Sequence, residues 1–148
     1  MGLDMYLTKK VFVGAEYEHR KVTGNIDVFV AGEKLDINFN KVFSIEEASG
    51  YWRKANAIHQ WFVDNVQEGN DNCGTYYVSE ENLQSLLDLT NEILADHSKA
   101  NDLLPAQSGF FFGGTEYDEW YFENLVSTKE ILENALKSDG EFYYHSSW

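Results

Sequence analysis

Apolar and polar residues alternate from the start of the chain. Leu3, Met5 and Leu7 fall between Asp4, Tyr6 and Thr8, and the alternation runs on to Val11 and Val13, the period of a strand with one face buried. Residues 16–23 are charged and aperiodic, which predicts a loop. Ile26, Val28 and Val30 alternate again. Ala31, Gly32, Glu33 and Lys34 supply turn chemistry, and Leu35, Ile37 and Phe39 resume the pattern, so the segment reads as a β-hairpin.

The period then changes. Ser44 can cap a helix while Glu47 reaches back to its amide, and Phe43 can staple against Ala48. Ala48, Tyr51, Trp52, Ala55, Ile58, His59, Phe62, Val63 and Val66 recur at three and four, which predicts one helix from Ser44 to about residue 66. Residues 68–74 favour turns. Tyr76, Tyr77 and Val78 form a short apolar stretch before Ser79, a second cap, with Glu80 and Glu81 in the first turn and a stripe of Leu83, Leu86, Leu87, Thr90, Ile93 and Leu94.

Beyond Pro105, residues 109–114 place three phenylalanines between glycines, which suits a buried strand or strand-like turn. From Asp118, the spacing of Tyr121, Leu125, Thr128, Leu132 and Leu136 predicts a third helix to about residue 137; Ser127 and Glu130 could form a capping box that splits it, so one helix or two stays open. Asp139 and Gly140 turn the chain into a closing strand at Phe142, Tyr143 and Tyr144. This order predicts an α+β fold, a mainly antiparallel sheet with about three helices packed on one face, in a single domain spanning residues 1–148.

Charge changes the picture of what such a fold touches. The net charge is −14, and residues 1–63 balance to zero, so the whole excess lies after residue 63, where Lys99, Lys129 and Lys137 are the only bases. That field repels phosphate backbones and argues against direct nucleic-acid binding; it favours a basic protein partner, such as a nucleic-acid-binding one whose groove an acidic surface could occupy. Acidic faces also simply keep proteins in solution. Cys73 stands alone, which excludes an internal disulfide framework and a multi-cysteine zinc site. With no basic-then-apolar leader and no run long enough to cross a bilayer, the expectation is a soluble cytoplasmic protein without membrane contact. A homodimer stays open, because the aromatic content of 16% exceeds what a core of this size obviously requires.

Several segments together resemble a family of small bacterial and phage or prophage-encoded proteins. They are the opening Met1-Gly2-Leu3-Asp4-Met5-Tyr6-Leu7, the central Tyr51-Trp52-Arg53-Lys54-Ala55-Asn56 with Ile58-His59 and Trp61-Phe62, Gly109 to Gly113 with Tyr117-Asp118-Glu119, and the closing Phe142-Tyr143-Tyr144-His145-Ser146-Ser147-Trp148. The resemblance implies a setting, a bacterial cell or phage-infected host, and no reaction.

Candidate chemistry is sparse. His59 with Trp52 and Arg53 is the most enzyme-like grouping, since imidazole exchanges protons near neutral pH and a guanidinium can orient an anion; the same spacing also puts His59 on the apolar stripe, where a histidine is ordinary packing. Trp61, at the flank of the stripe, suits a contact anchor or a packed edge. Glu116, Asp118 and Glu119 could supply an acid/base pair, an anionic ridge or the early acids of a helix. Cys73 lies in an acidic turn that disfavours its thiolate. Glu68, Asn70, Asp71 and Asn72 lack the EF-hand spacing, and no histidine pair has helical metal-ligand spacing, so neither a metal nor a cofactor is expected.

Two functions follow. One is a small acidic accessory protein that acts by binding a protein partner or a small ligand, with Trp52, Arg53, His59, Trp61, Glu116, Asp118 and Glu119 as candidate contacts. The alternative is a small hydrolase or transferase in which His59 works with Arg53 and a carboxylate such as Asp64 or Asp118.

Overall fold

The computed structural model describes residues 2–14, 19, 26–109 and 113–148. Leu3, Met5 and Leu7 are fully buried, as their alternation predicts, and β1 (Asp4–Phe12) becomes an inner strand of a four-stranded antiparallel sheet. Its neighbours are β4 (Ser44–Arg53) and β6 (Glu141–Ser147), and β5 (Tyr76–Val78) pairs with the far side of β6. β2 (Phe29–Val30) and β3 (Glu33–Lys34) make a separate two-stranded hairpin. The hairpin turns at Ala31 and Gly32, both at positive φ as a type I′ turn requires. It is shorter than its alternation suggests, and Phe29, Val30, Leu35 and Ile37 stay exposed.

The largest departure is at residues 44–53. These residues form a strand, not the first turns of a helix, and α1 is confined to Asn56–Asn65. The three-and-four spacing and the capping box at Ser44 are genuine helical signals, but β1 offers a ladder along its length. Lys9 and Lys10 pair across it with Glu47 and Glu46 at 3.3 and 3.4 Å, and Gly50 would weaken a helix interior. Pairing decides against local propensity. The ladder runs Asp4 opposite Arg53 to Leu7 opposite Gly50, then skips Ser49 so that Thr8 faces Ala48.

One face of the sheet is apolar and the other open. Trp52, Val78, Phe142, Tyr144 and Ser146 join Leu3, Met5 and Leu7 on the covered side; Tyr6, Tyr51, Tyr77 and Tyr143 point the other way. α2 (Glu80–Ala95) starts at the Ser79 cap, whose side chain accepts from the Asn82 amide, and buries Leu83, Leu86, Leu87, Thr90 and Ile93. A single turn, α3 (Ala100–Leu103), leads into the loop before α4 (Glu119–Leu136). α4 is one helix: Asp118 caps it by accepting from the Tyr121 amide, and Ser127 lies within it without breaking it. Of the loop predicted at residues 16–23, only His19 is described; Phe110, Phe111 and Phe112 of the predicted strand at 109–114 lie outside the described residues, and Gly113 and Gly114 are exposed without strand pairing. No described helix is long and apolar enough to cross a membrane.

α4 crosses β4 at Gly50, where an added Cβ would sit 2.5 Å from Ile131 Cγ2. Gly50→Ala is therefore expected to cost about 1–3 kcal/mol in urea unfolding. The penalty should shrink in an Ile131→Ala background; an equal penalty in both backgrounds would mean that the contact is not the cause.

Candidate functional site

The chain leaves β4 and enters α1 within two residues. Lys54 makes that turn in the left-handed region at φ +57, while its amide still donates to the Leu3 carbonyl at 2.8 Å. A side chain there costs about 1–2 kcal/mol, which the surrounding contacts must offset. Gly113, itself at φ +96, lies against it: an added Cβ at Gly113 would stand 3.1 Å from both the Cβ and the carbonyl oxygen of Lys54. Asn56, at the start of α1, fastens the same loop by donating to the Gly114 carbonyl at 2.8 Å and accepting from the Gln107 amide at 2.9 Å.

Between this turn and the N-terminal half of α4 lies a cleft of about 510 Å³. Buried Trp52, Ile58, Tyr121 and Leu125 contribute its apolar lining, and Trp52 is tied across to α4 by donating Nε1–H to Thr128 Oγ1 at 2.8 Å. Tyr121 also lines it, but its hydroxyl is committed to the Leu104 carbonyl at 2.7 Å. Arg53, Lys54, Tyr51, Glu116, Asp118 and Trp120 are its exposed lining, with Asn124 and Ser127 adding polar groups. Trp120 is 73% exposed.

The charged lining is balanced, Arg53 and Lys54 against Glu116 and Asp118, in a chain of net charge −14. Lys9, Lys10, Lys34, Lys99 and Lys129 each pair with a carboxylate, whereas Arg53 and Lys54, like Lys41 and Lys137 elsewhere, form no ion pair among the described residues. Asp4 stands opposite Arg53 in the ladder, but its Oδ1 accepts the Tyr51 hydroxyl instead. That hydrogen bond, followed by desolvation and the Asp4 charge, raises the Tyr51 pKa above that of an ordinary phenol. The N-termini of α1 and α4 both contribute residues to the cleft, α1 without a side-chain cap and α4 under the Asp118 carboxylate.

Of the residues singled out in the sequence, Trp52, Arg53, Glu116 and Asp118 meet in this cleft. Arg53 does so from a strand, not from a helix shared with His59. Glu119 is exposed on the first turn of α4 and does not line the cleft. Trp61 is 8% exposed, packed edge-on against Phe62, so it is a core residue and not a flanking anchor. Asp64 is exposed and accepts from Gln60 at 2.8 Å. Sequence reasoning missed Lys54 and Trp120. Trp120 carried a readable signal, since it falls beside the Tyr121–Leu125 stripe and not on it; for Lys54 the only hint was its adjacency to Arg53.

His59 is sealed away from solvent and does not line the cleft. Its Nδ1 is 2.7 Å from the Tyr144 hydroxyl and its Nε2 is 3.1 Å from Asp71 Oδ2, while Asp71 Oδ1 accepts from Trp148 Nε1 at 3.1 Å. A phenol donating to Nδ1 leaves Nε2–H to donate to the carboxylate, so the ring is oriented and both nitrogens are engaged. The turn that carries Asp71 is self-bonded: Asn72 Oδ1 accepts from the Gly74 amide and the Tyr76 hydroxyl, each at 2.9 Å.

No protein-family model, curated protein or solved structure matches the chain.

Two outcomes test the buried network. His59→Ala should lower stability by about 2–4 kcal/mol in urea unfolding, because Tyr144 and Asp71 lose their partner as a cavity opens; a loss under about 1 kcal/mol would show that the network carries no weight. Burial, and then the Asp71 charge, pushes Tyr144 far above the usual phenol range, and burial does the same to Tyr121. Below about pH 10 neither phenol is ionised in either state; above it the unfolded chain releases protons that the folded chain keeps. Stability should therefore fall by about 1.4 kcal/mol per pH unit for each such tyrosine. Tyr144→Phe should reduce that alkaline slope by about one tyrosine's share, and an unchanged slope would count against the burial account.

Proposed function

We propose that this chain is a binding protein, and that its cleft between the β4–α1 turn and α4 takes a small anionic ligand. One observation carries the reading: in a chain with 25 acids and 11 Lys and Arg residues, two adjacent cations line a cleft without ion-pair partners among the described residues. Unpaired cations beside apolar walls gain more from a bound anion than fully solvated ones would. The bacterial or phage setting implied by the sequence resemblance is kept as part of the proposal. Geometry lends no support to the hydrolase or transferase reading on His59, because that imidazole is buried with its own partners while Arg53 and Asp118 lie in the cleft.

A second reading, a basic protein partner, draws support from a different surface. Glu80, Glu81, Asp88 and Glu92 on α2 and Glu119, Glu123, Glu130 and Glu133 on α4 meet Lys129 within the helices and Lys99, which pairs with Glu92 from just beyond α2, and α2 contributes nothing to the cleft. The two readings are separable by variants.

Thermal unfolding of the full chain with a panel of small anions tests the first reading, using phosphate, phosphate esters and di- and tricarboxylates. At least one class should raise Tm, in line with about 2.7 kcal/mol of stabilisation at a hundredfold excess over Kd. Arg53→Ala with Lys54→Ala should abolish that rise, and Glu81→Lys with Glu92→Lys should not. No rise with any anion, or the same rise in the Arg53 and Lys54 double variant, overturns the proposal.

A further inference from the structure

We infer that the anion suited to this cleft is a phosphate ester carrying a flat ring, of the nucleoside monophosphate class; the inference rests on the anion-binding reading above. The cleft is chemically two-ended. Arg53 and Lys54 lie at the β4–α1 turn, while Glu116, Asp118 and Trp120 come from the loop before α4 and its first turn.

A compact anion such as phosphate or a tricarboxylate would satisfy the cations. It would meet two carboxylates on the other side and leave Trp120 in water. A ligand that is anionic at one end and an uncharged ring with hydrogen-bond donors at the other uses the whole lining. Its phosphate takes the guanidinium and ammonium, its hydroxyls or amines donate to Glu116 and Asp118, and its ring stacks on the indole. Glu116 makes no hydrogen bond or ion pair among the described residues that would compete for this role.

Tyr51 borders the cleft at the edge of the sheet, with its hydroxyl held by Asp4 and its ring 5.3 Å from that of Tyr6 on the open face. The volume, about 510 Å³, falls within the range of small-molecule sites and accommodates a ligand of that size. The chain's charge of −14 disfavours a polynucleotide, whose phosphates would extend over acidic surface, far more than a ligand with one phosphate held at the cations.

Titration of the full chain, followed by tryptophan fluorescence and calorimetry, tests the class. The probes are the four ribonucleoside 5′-monophosphates, ribose 5-phosphate, the matching nucleosides and inorganic phosphate. The tightest nucleotide should bind at least about tenfold more strongly than ribose 5-phosphate or its own nucleoside. Trp120→Ala removes an exposed side chain, so the fold should persist. It should weaken that nucleotide at least about fivefold and leave ribose 5-phosphate within about twofold. Equal affinities for the nucleotide and ribose 5-phosphate, or a Trp120→Ala variant that binds nucleotide as the natural chain does, would overturn the ring-stacking inference while the anion-binding reading stands. Absence of binding by every phosphate probe, with carboxylates still raising Tm, would overturn the inference alone; absence of binding by any anion would remove both.

Discussion

The pairing of Ser44–Arg53 with β1 is the constraint on which the rest of this structure depends. A strand's period of two sends Trp52 into the core and Arg53 to the other face, a separation that a helix over the same residues would not produce. Trp52 then reaches α4 through its bond to Thr128, whose hydroxyl in turn donates to the Asn124 carbonyl at 2.6 Å. Sheet edge and helix are thereby held at a fixed spacing, and the space between them is the cleft. The left-handed turn at Lys54 follows from the same pairing, because the chain must leave the ladder and begin α1 with only Lys54 and Ala55 between them. Strain at Lys54 is thus a consequence of a short connection, placed where an exposed cation results.

Much of the fold was legible because period and burial agree over most of the chain. Leu3, Met5 and Leu7 alternate and are buried; the α2 stripe from Leu83 to Ile93 and the α4 stripe from Tyr121 to Leu132 recur at helical spacing and fill the core. Where reading failed, two periods coincided. Residues 44–55 carry a capping box and three-and-four spacing, yet they also stand beside β1, and nothing local announces that Lys9 and Lys10 will meet Glu47 and Glu46. The candidate site was legible only in part for the same reason. Arg53 and Asp118 were visible as chemistry, but their meeting across 65 positions of chain is a product of α4 crossing the sheet. Placing His59 with them assumed a helix that does not extend that far back.

His59 shows how a chemically suggestive residue becomes structural. The ring lies between Tyr144 on β6 and Asp71 on the turn after α1, and Phe62 stacks on Tyr144 at 3.9 Å with the planes 6° apart. A base that must accept a proton from a substrate needs a face or a nitrogen open to it. Here both nitrogens are occupied, and the donor to Asp71 on the far side is Trp148 near the close of the sheet. The group therefore joins α1, the acidic turn and β6 into one unit. It stiffens the helix whose first turn lines the cleft.

Charge sets the terms on which that cleft can work. Acids outnumber Lys and Arg by 25 to 11, so an approaching anion meets a repulsive field that physiological salt largely screens beyond about 8 Å, and attraction only close to Arg53 and Lys54. Added salt screens both, but unequally. Long-range repulsion is lost first, while contacts partly shielded by Trp52, Ile58 and Leu125 are screened less. A ligand held by charge alone would have little to offset the outer field, whereas one that also covers Trp120 would gain an attraction that salt does not weaken. On the proposed reading, the exposed Trp120 ring is what would let so acidic a chain hold an anion, and it ties the question of which ligand enters to the question of what that ring would stack on.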